Sequence, residues 1–295
     1  CAERTGAART DEFGLNDAKL TATRWIPTER TRAAREIPAA IETYRFNDAA
    51  GAAYRFVWNN FFDWYLELLK PVFMGDDAAA KSESQAVAAF VLDEIYKLLH
   101  PIMPFMTEEL WAHTAGEGAQ RATLLCHAAW PNPDFEDAEA AAEINWLIDL
   151  VSGIRSVRAE MNVPPSAIAP LCIVGAEKVT EARLDRHAAA IARLARVGQV
   201  GHSTAAPKAS AQIVLGEATF ALPLGDLIDV KAEAARLAKE VAKAEGEIAR
   251  VEKKLDNPQF VAKAAEDVVE AEREKLAEFR EQLERLKTAL ARVSH

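Results

Sequence analysis

The sequence predicts a mainly α-helical protein built as a helix bundle, a small α/β unit and an antiparallel two-helix coiled coil. Three observations predict it. Amphipathic stretches separated by prolines fill the first 165 residues. Near Ile168 the apolar period shortens from helical to strand-like. From Asp226 onward apolar positions recur alternately every four and three residues, the 3.5-residue period of a coiled-coil seam. The expected domains are therefore 1–165, 166–225 and 226–295.

The first 25 residues are polar and weakly patterned. A helix is expected over Thr28–Tyr44, with Pro27 at its first position and Pro38 kinking or breaking it. Asn47 or Asp48 is the expected cap of a long helix that reaches about Lys70 and is stopped by Pro71. A helix over Ser82–Leu99 ends before Pro101. Thr107 is expected to cap another that carries Glu108, Glu109, Leu110 and Trp111, and Asp137–Met161 forms the last, ending before Pro164-Pro165.

In the middle unit Ile168–Val174 reads as a short buried strand and Val179–Val197 as a helix. Gln212–Leu215 and Thr219–Leu222 read as a hairpin around Gly216. In the last unit Val230, Ala234, Leu237, Val241, Ala244, Ile248, Val251 and Leu255 form one seam. After the turn Asp256-Asn257-Pro258 a second seam runs Ala262, Ala265, Val269, Glu272, Leu276, Phe279, Leu283, Leu286, Leu290 and Val293, broken only at Glu272. A short proline turn between two such helices makes an antiparallel hairpin, an arm roughly 40 to 45 Å long at 1.5 Å per residue.

At 295 residues, 50% hydrophobic and 27% charged, the chain has the composition of a globular protein of two or three units. Lys and Arg number 35 against 45 Asp and Glu, and a net charge of −10 argues against indiscriminate polyanion binding. The excess divides unevenly, with 21 basic and 29 acidic residues up to position 225 and 14 and 16 in the arm. Cys1, Cys126 and Cys172 are too dispersed for a zinc site or a disulfide framework and fit a reducing compartment. The longest uncharged apolar stretch, Ser166–Ala176, falls short of the roughly 20 residues that span a bilayer. The beginning Cys1-Ala2-Glu3-Arg4 has no leader-like pattern and reads as a piece of something longer, with the cytoplasm as the expected location.

Neither G-x-S-x-G, a P-loop nor G-x-G-x-x-G occurs, and no two histidines stand four apart around a carboxylate. The aromatic run Tyr54, Phe56, Trp58, Phe61, Phe62, Trp64 and Tyr65 could stack bases. The helical spacing of Tyr54, Trp58, Phe61, Phe62 and Tyr65 instead favours a bundle core, with Arg55 and Asn59 reaching outward beside it. Arg183, Arg186, Arg193 and Arg196 are expected on the face opposite Leu184, Ala188, Ile191, Leu194 and Ala195, where they read equally as a phosphate-binding strip or a solvated face. Arg155 and Arg158 form a second small basic pair with the same two readings. In the arm Arg236, Lys239, Lys243 and Arg250 recur along one helix and could track a phosphate backbone.

Three groups of residues then carry a resemblance. Tyr44–Gly51, Trp58-Asn59, Asp63–Pro71 and His100–Trp111 resemble the anticodon-binding helical domain of class I valyl-tRNA synthetases, as do Ile154-Arg155 and Arg158–Pro164. Leu237–Lys243, Glu245–Ile248, Asn257–Lys263 and Glu272–Leu276 resemble the same family's C-terminal arm. The resemblance extends from about Leu20 to the end. The arm, and the lack of the cysteine-bound zinc common in the isoleucine enzyme, separate this chain from the isoleucine and leucine relatives.

The resemblance implies the tRNA-binding C-terminal part of a ligase that joins valine to its tRNA through an ATP-made aminoacyl-adenylate. The family's H-x-G-H and K-M-S-K-S signatures are absent from this sequence, and the editing domain and first anticodon-domain helix would lie upstream of Cys1. The expected tRNA-binding residues are Arg55, Asn59, Arg155, Arg158, Arg183, Arg186, Arg193, Arg196, Arg236, Lys239, Lys243 and Arg250, with no catalytic or metal-binding residue. ATP with Mg is implied for the parent enzyme only. The implied partners are the tRNA for valine and the missing catalytic and editing domains; a monomer without membrane contact is expected. The alternative class is a coiled-coil structural or protein-interaction module that binds no tRNA.

Overall fold

The computed structural model describes residues 14–116, 120–207, 210–225, 228, 230–257 and 266–294. Their contacts group into two compact units, 1–148 and 149–295. The fold is the expected one: mainly α, with helices packed as a bundle, a small mixed sheet, and a two-helix coiled coil.

The first unit is built on α1, Thr21–Glu42, which runs straight through both prolines. Its buried face holds Trp25, Ile26, Ala33, Ala34, Ile37 and Ala40. The expected break at Pro38 does not occur. A proline at 38 leaves the Ala34 carbonyl without its helical donor, and the Trp130 indole N–H supplies one at 3.0 Å. Pro27 likewise lies inside the helix rather than at its start. Tyr44 follows in the left-handed region, φ 59°, a conformation uncommon for a large side chain. It redirects the chain into one long helical run: α2, Phe46–Tyr54, a π-helical segment Arg55–Tyr65, and α3, Leu66–Met74. This run starts one residue before the expected cap Asn47, and Pro71 sits within α3 rather than ending it, because buried Leu68 and Leu69 hold the turn around it.

Helix α4, Ala78–Leu99, begins earlier than expected because the Asp77 carboxylate caps it, accepting from the amides of Ala79 at 2.9 Å and Ala80 at 3.0 Å. Helix α5, Pro104–His113, opens on its proline, so the expected cap Thr107 is buried one turn inside. The Thr107 hydroxyl donates to the Met103 carbonyl and meets His100 Nδ1 at 2.8 Å. Beyond α5 the loop is pinned by Arg121. Its guanidinium forks onto Asp93 at 2.8 and 2.7 Å, donates to the Trp111 carbonyl at 2.8 Å, and lies 3.8 Å from the Trp111 ring centre. Arg30 is buried as deeply, against Glu94 at 3.5 Å and the Phe90 ring. Helix α6, Ala138–Glu160, is capped by Asp137, whose carboxyl is held below the ordinary range by the Ala140 amide and by Arg24 despite partial burial.

The second unit holds a four-stranded sheet ordered β2-β1-β4-β3. Strand β1, Ala169–Val174, pairs parallel with β2, Val197–Ser203, and antiparallel with β4, Ala218–Pro223, which pairs antiparallel with β3, Ser210–Leu215. Helix α7, Lys178–Ala195, is the crossover that a parallel pair requires. Strand β2 has no sequence signal, being glycine-containing and exposed except at Val197. Gly153 of α6 lies against β3, where an added Cβ would meet Ile213 Cγ2 at 3.0 Å.

Helices α8, Val230–Leu255, and α9, Glu266–Ser294, form the arm. The ion pairs Lys254–Glu272, Glu252–Arg280 and Glu245–Lys287 run in opposite directions along the two helices, which fixes the antiparallel register. Leu237, Ala244, Ile248, Val251 and Val269 are buried along the seam. Ala262 and Ala265, the turn at Pro258, and the side chains of Val230 and Val293 lie outside the described residues. The foot of the arm is anchored in one apolar cluster, where Leu237 and Ala289 join Val157, Met161, Val163, Ala211 and Leu224.

Candidate nucleic-acid interface

The aromatic run was expected to pack inward at Tyr54, Trp58, Phe61, Phe62 and Tyr65, and only Phe61 and Tyr65 do, together with Phe56. In a π-helical segment hydrogen bonds reach five residues back, and each turn takes in more residues than an α-helical turn. That shift puts Phe56 and Phe61 on the buried line. Tyr54, Trp58 and Phe62 are left 58, 52 and 43% exposed. They form a ladder along the surface, with Tyr54 and Trp58 nearly parallel at 6.2 Å and Trp58 and Phe62 6.4 Å apart. One residue along, Arg55 and Asn59 make a parallel polar line, both exposed, Arg55 paired with Glu36 at 3.1 Å. Arg55 also borders a surface cleft of about 340 Å³ with Arg45, Asp48 and Glu36.

The second basic group is less uniform than the sequence implies. Arg186 and Arg193 are exposed on α7, while Arg183 is half-buried and helps hold the Glu217 carboxyl below the ordinary range, after the Thr180 hydroxyl. Arg183, Arg186 and Arg193 all interact with other groups of the fold. Arg196 leaves the helix in the left-handed conformation, φ 55°. Arg155 is exposed and donates Nε to the Leu194 carbonyl at 2.9 Å. Arg158 is buried and donates to the carbonyls of Pro164 at 3.1 Å and Ala167 at 2.7 Å. Burial, then the nearby Arg196 charge, lower its pKa. Arg158 thus ties down the segment between α6 and β1.

In the arm the four expected cations differ in their surroundings. Arg236 is clamped between Glu233 and Glu240, which raise its pKa. Arg250 pairs with Glu247 at 2.6 Å. Lys239 and Lys243 are exposed and pair with no carboxylate among the described residues. Lys253, absent from the expected set, lies on the same face and was legible as a further step of the same spacing. The Glu272 break in the seam is explained by Lys254 of the facing helix, at 2.8 Å, which holds the carboxyl below the ordinary range. Among the described residues no group of three or more His, Cys, Asp or Glu could hold a metal ion, and no helix is long and apolar enough to cross a membrane.

Residues 23–173 match the family described as the anticodon-binding domain of tRNA ligase. Residues 229–294 match the one described as the valyl tRNA synthetase tRNA binding arm. The chain is 70% identical over 292 residues to a valine–tRNA ligase of Mesorhizobium japonicum, covering 99% of this chain and 32% of that protein. It is 63% identical to that of Agrobacterium fabrum and 61% to that of Brucella suis, covering 99% of itself and 31 and 32% of them. The chain therefore spans about a third of the length of the curated relatives it matches.

Proposed function

The chain belongs to the family of anticodon-binding domains of tRNA ligases, and from that premise we propose that it is the tRNA-binding C-terminal part of a valine–tRNA ligase. The observation that carries the reading is the tandem arrangement, in which an anticodon-binding domain and a tRNA-binding arm follow one another in a single chain. The parent enzyme attaches valine to its tRNA with ATP and Mg through an aminoacyl-adenylate, in a part of the protein other than this one. This chain lacks the two ATP-binding signatures, so its contribution is positional: binding energy gained far from the reacting atoms orients the acceptor end.

The division into 1–165, 166–225 and 226–295 is proposed as the functional one: anticodon bundle, linker unit and arm. The proposed partners are the tRNA for valine and the remaining domains of the ligase. Exposed Ile102, Phe105, Met106 and Leu110, beside the acidic Glu109, suit a protein surface better than a phosphate. The chain alone is proposed to be a cytoplasmic monomer, since each arm helix already has its seam filled by the other.

The test is binding of a valine tRNA transcript by the purified chain across a salt series. Affinity that falls steeply with salt is expected, with no valine-dependent charging in the presence of ATP. A salt-insensitive dimer indifferent to tRNA would overturn the reading in favour of a protein-interaction module.

A further inference from the structure

We infer that the arm meets RNA with the outward face of α8, and that the outward face of α9 points away from it. The inference rests on the tRNA-binding reading and says which surface of the arm carries it. Counted over the whole arm, 14 basic and 16 acidic residues give no preference. Sorted by face, they separate.

On α8 the side opposite the buried Leu237, Ala244, Ile248 and Val251 is a single line at i, i+4, i+7, i+11 and i+14: Lys239, Lys243, Gly246, Arg250 and Lys253. It extends over about 21 Å of helix and contains no carboxylate. The acids of α8 lie on its flanks and are already engaged. Glu233 and Glu240 hold Arg236, Glu247 holds Arg250, and Glu245 and Glu252 reach Lys287 and Arg280 of α9.

The corresponding outward line of α9 reads Ala271, Glu274, Glu278, Glu281, Arg285 and Thr288, all exposed, with three carboxylates and one guanidinium. Arg285 pairs with Glu281, as Arg250 does with Glu247 on α8, and on the flank Arg273 pairs with Glu270. Glu274 and Glu278 therefore leave this face net negative, while Lys239, Lys243 and Lys253 leave the α8 face net positive. One side of the arm is thus cationic and the other anionic. Two helices side by side are roughly 20 Å across, well beyond the Debye length of about 8 Å at physiological salt. A phosphate at α8 is therefore screened from the α9 carboxylates, and a near-neutral arm can bind a polyanion on one side only.

The shape of the α8 face agrees with its charge. Exposed Ala235, Ala242 and Ala249 keep the surface between the lysines low, and at Gly246 an added Cβ would meet nothing within 4 Å. A sugar-phosphate strand can therefore approach the helix backbone closely at mid-face, with the lysines on either side of it.

The experiment compares charge-removal pairs by fluorescence anisotropy with a valine tRNA transcript across a salt series. Lys239→Gln with Lys243→Gln is expected to lower affinity about tenfold or more near 0.1 M salt. It should reduce the slope of log affinity against log salt by about two, one per lost phosphate contact. Arg273→Gln with Arg285→Gln removes the same charge from α9 and is expected to change neither. Gly246→Leu is expected to weaken binding while leaving the helical signal and melting of the arm undiminished.

These are surface changes, and unaltered circular dichroism and melting confirm the fold. If the unmodified chain binds tRNA and the α8 pair leaves slope and affinity unchanged, or the α9 pair lowers them equally, the facial assignment is wrong and the tRNA reading stands. If the unmodified chain binds no tRNA, both fall.

Discussion

Replacing Arg121 with Leu isolates what holds the loop after α5. The side chain is 6% exposed and Asp93 12%, so its removal leaves a carboxylate largely cut off from water and without its bidentate cation. Breaking one member of a buried pair costs about 3–5 kcal/mol. The Trp111 carbonyl and Thr114 hydroxyl also lose their donor, which places the loss at the upper end of that range. For a unit of this size about 2–4 °C of melting temperature corresponds to 1 kcal/mol, so a loss of about 5 kcal/mol gives an expected drop of roughly 10–20 °C. Near-UV circular dichroism and tryptophan fluorescence report it directly, because the guanidinium lies over Trp111. The double variant Asp93→Leu, Arg121→Leu should recover most of the loss, since no uncompensated charge remains. A drop below about 2 °C, or a double variant worse than either single one, would refute the argument.

Trp130→Phe removes the donor to the Ala34 carbonyl and should cost about 1 kcal/mol; in a Pro38→Ala background, where residue 38 can donate to that carbonyl itself, urea titration should show the cost abolished. Glu29 is buried on α1, accepting from Arg32 at 2.9 Å and Asn60 at 3.1 Å, and burial raises its pKa above 4.5. A raised carboxyl pKa means the folded state binds more protons than the unfolded one, so stability falls as pH rises from 4.5 through the folded value. Glu29→Gln should flatten that fall, and melting curves that remain parallel to those of the parent between acid and neutral pH would count against it. Glu272→Leu completes the apolar seam at the cost of an ion pair whose Lys254 stays solvated; the arm should melt at a higher temperature, and a lower one would show that the pair outweighs the packing.

The arm was legible almost residue by residue, since a 3.5-residue period survives any detail of packing, and Leu237, Ala244, Ile248, Val251 and Val269 are buried as it requires. Strand β2 was not legible. Its pairing depends on β1 across the α7 crossover, and Val197–Ser203 carries no alternation of its own. In the aromatic helix one geometrical parameter decides: a 3.6-residue period assigns Trp58 to the core, and the π-helical segment assigns it to the surface. The basic residues were all visible, but which of them the fold occupies was not. Arg158 and Arg236 look as available as Lys239 in the sequence, yet one is spent on backbone carbonyls and the other on two glutamates.

By itself the sequence determined the helical content, the order of bundle, small sheet and arm, and the family resemblance, because these rest on local periodicity and on short motifs. Only the tertiary structure decided that α1 passes through Pro38, which depends on an indole N–H from Trp130, 96 residues away in sequence. The tertiary structure also decided which charges pair across the arm, as Lys254–Glu272, Glu252–Arg280 and Glu245–Lys287 do. Pairs such as Arg236 with Glu233 and Glu240 are instead set by neighbours along one helix. The charge of −10 and the near balance of the arm are sums over the chain. Binding is decided over a Debye length, and only the fold sorts those charges onto faces.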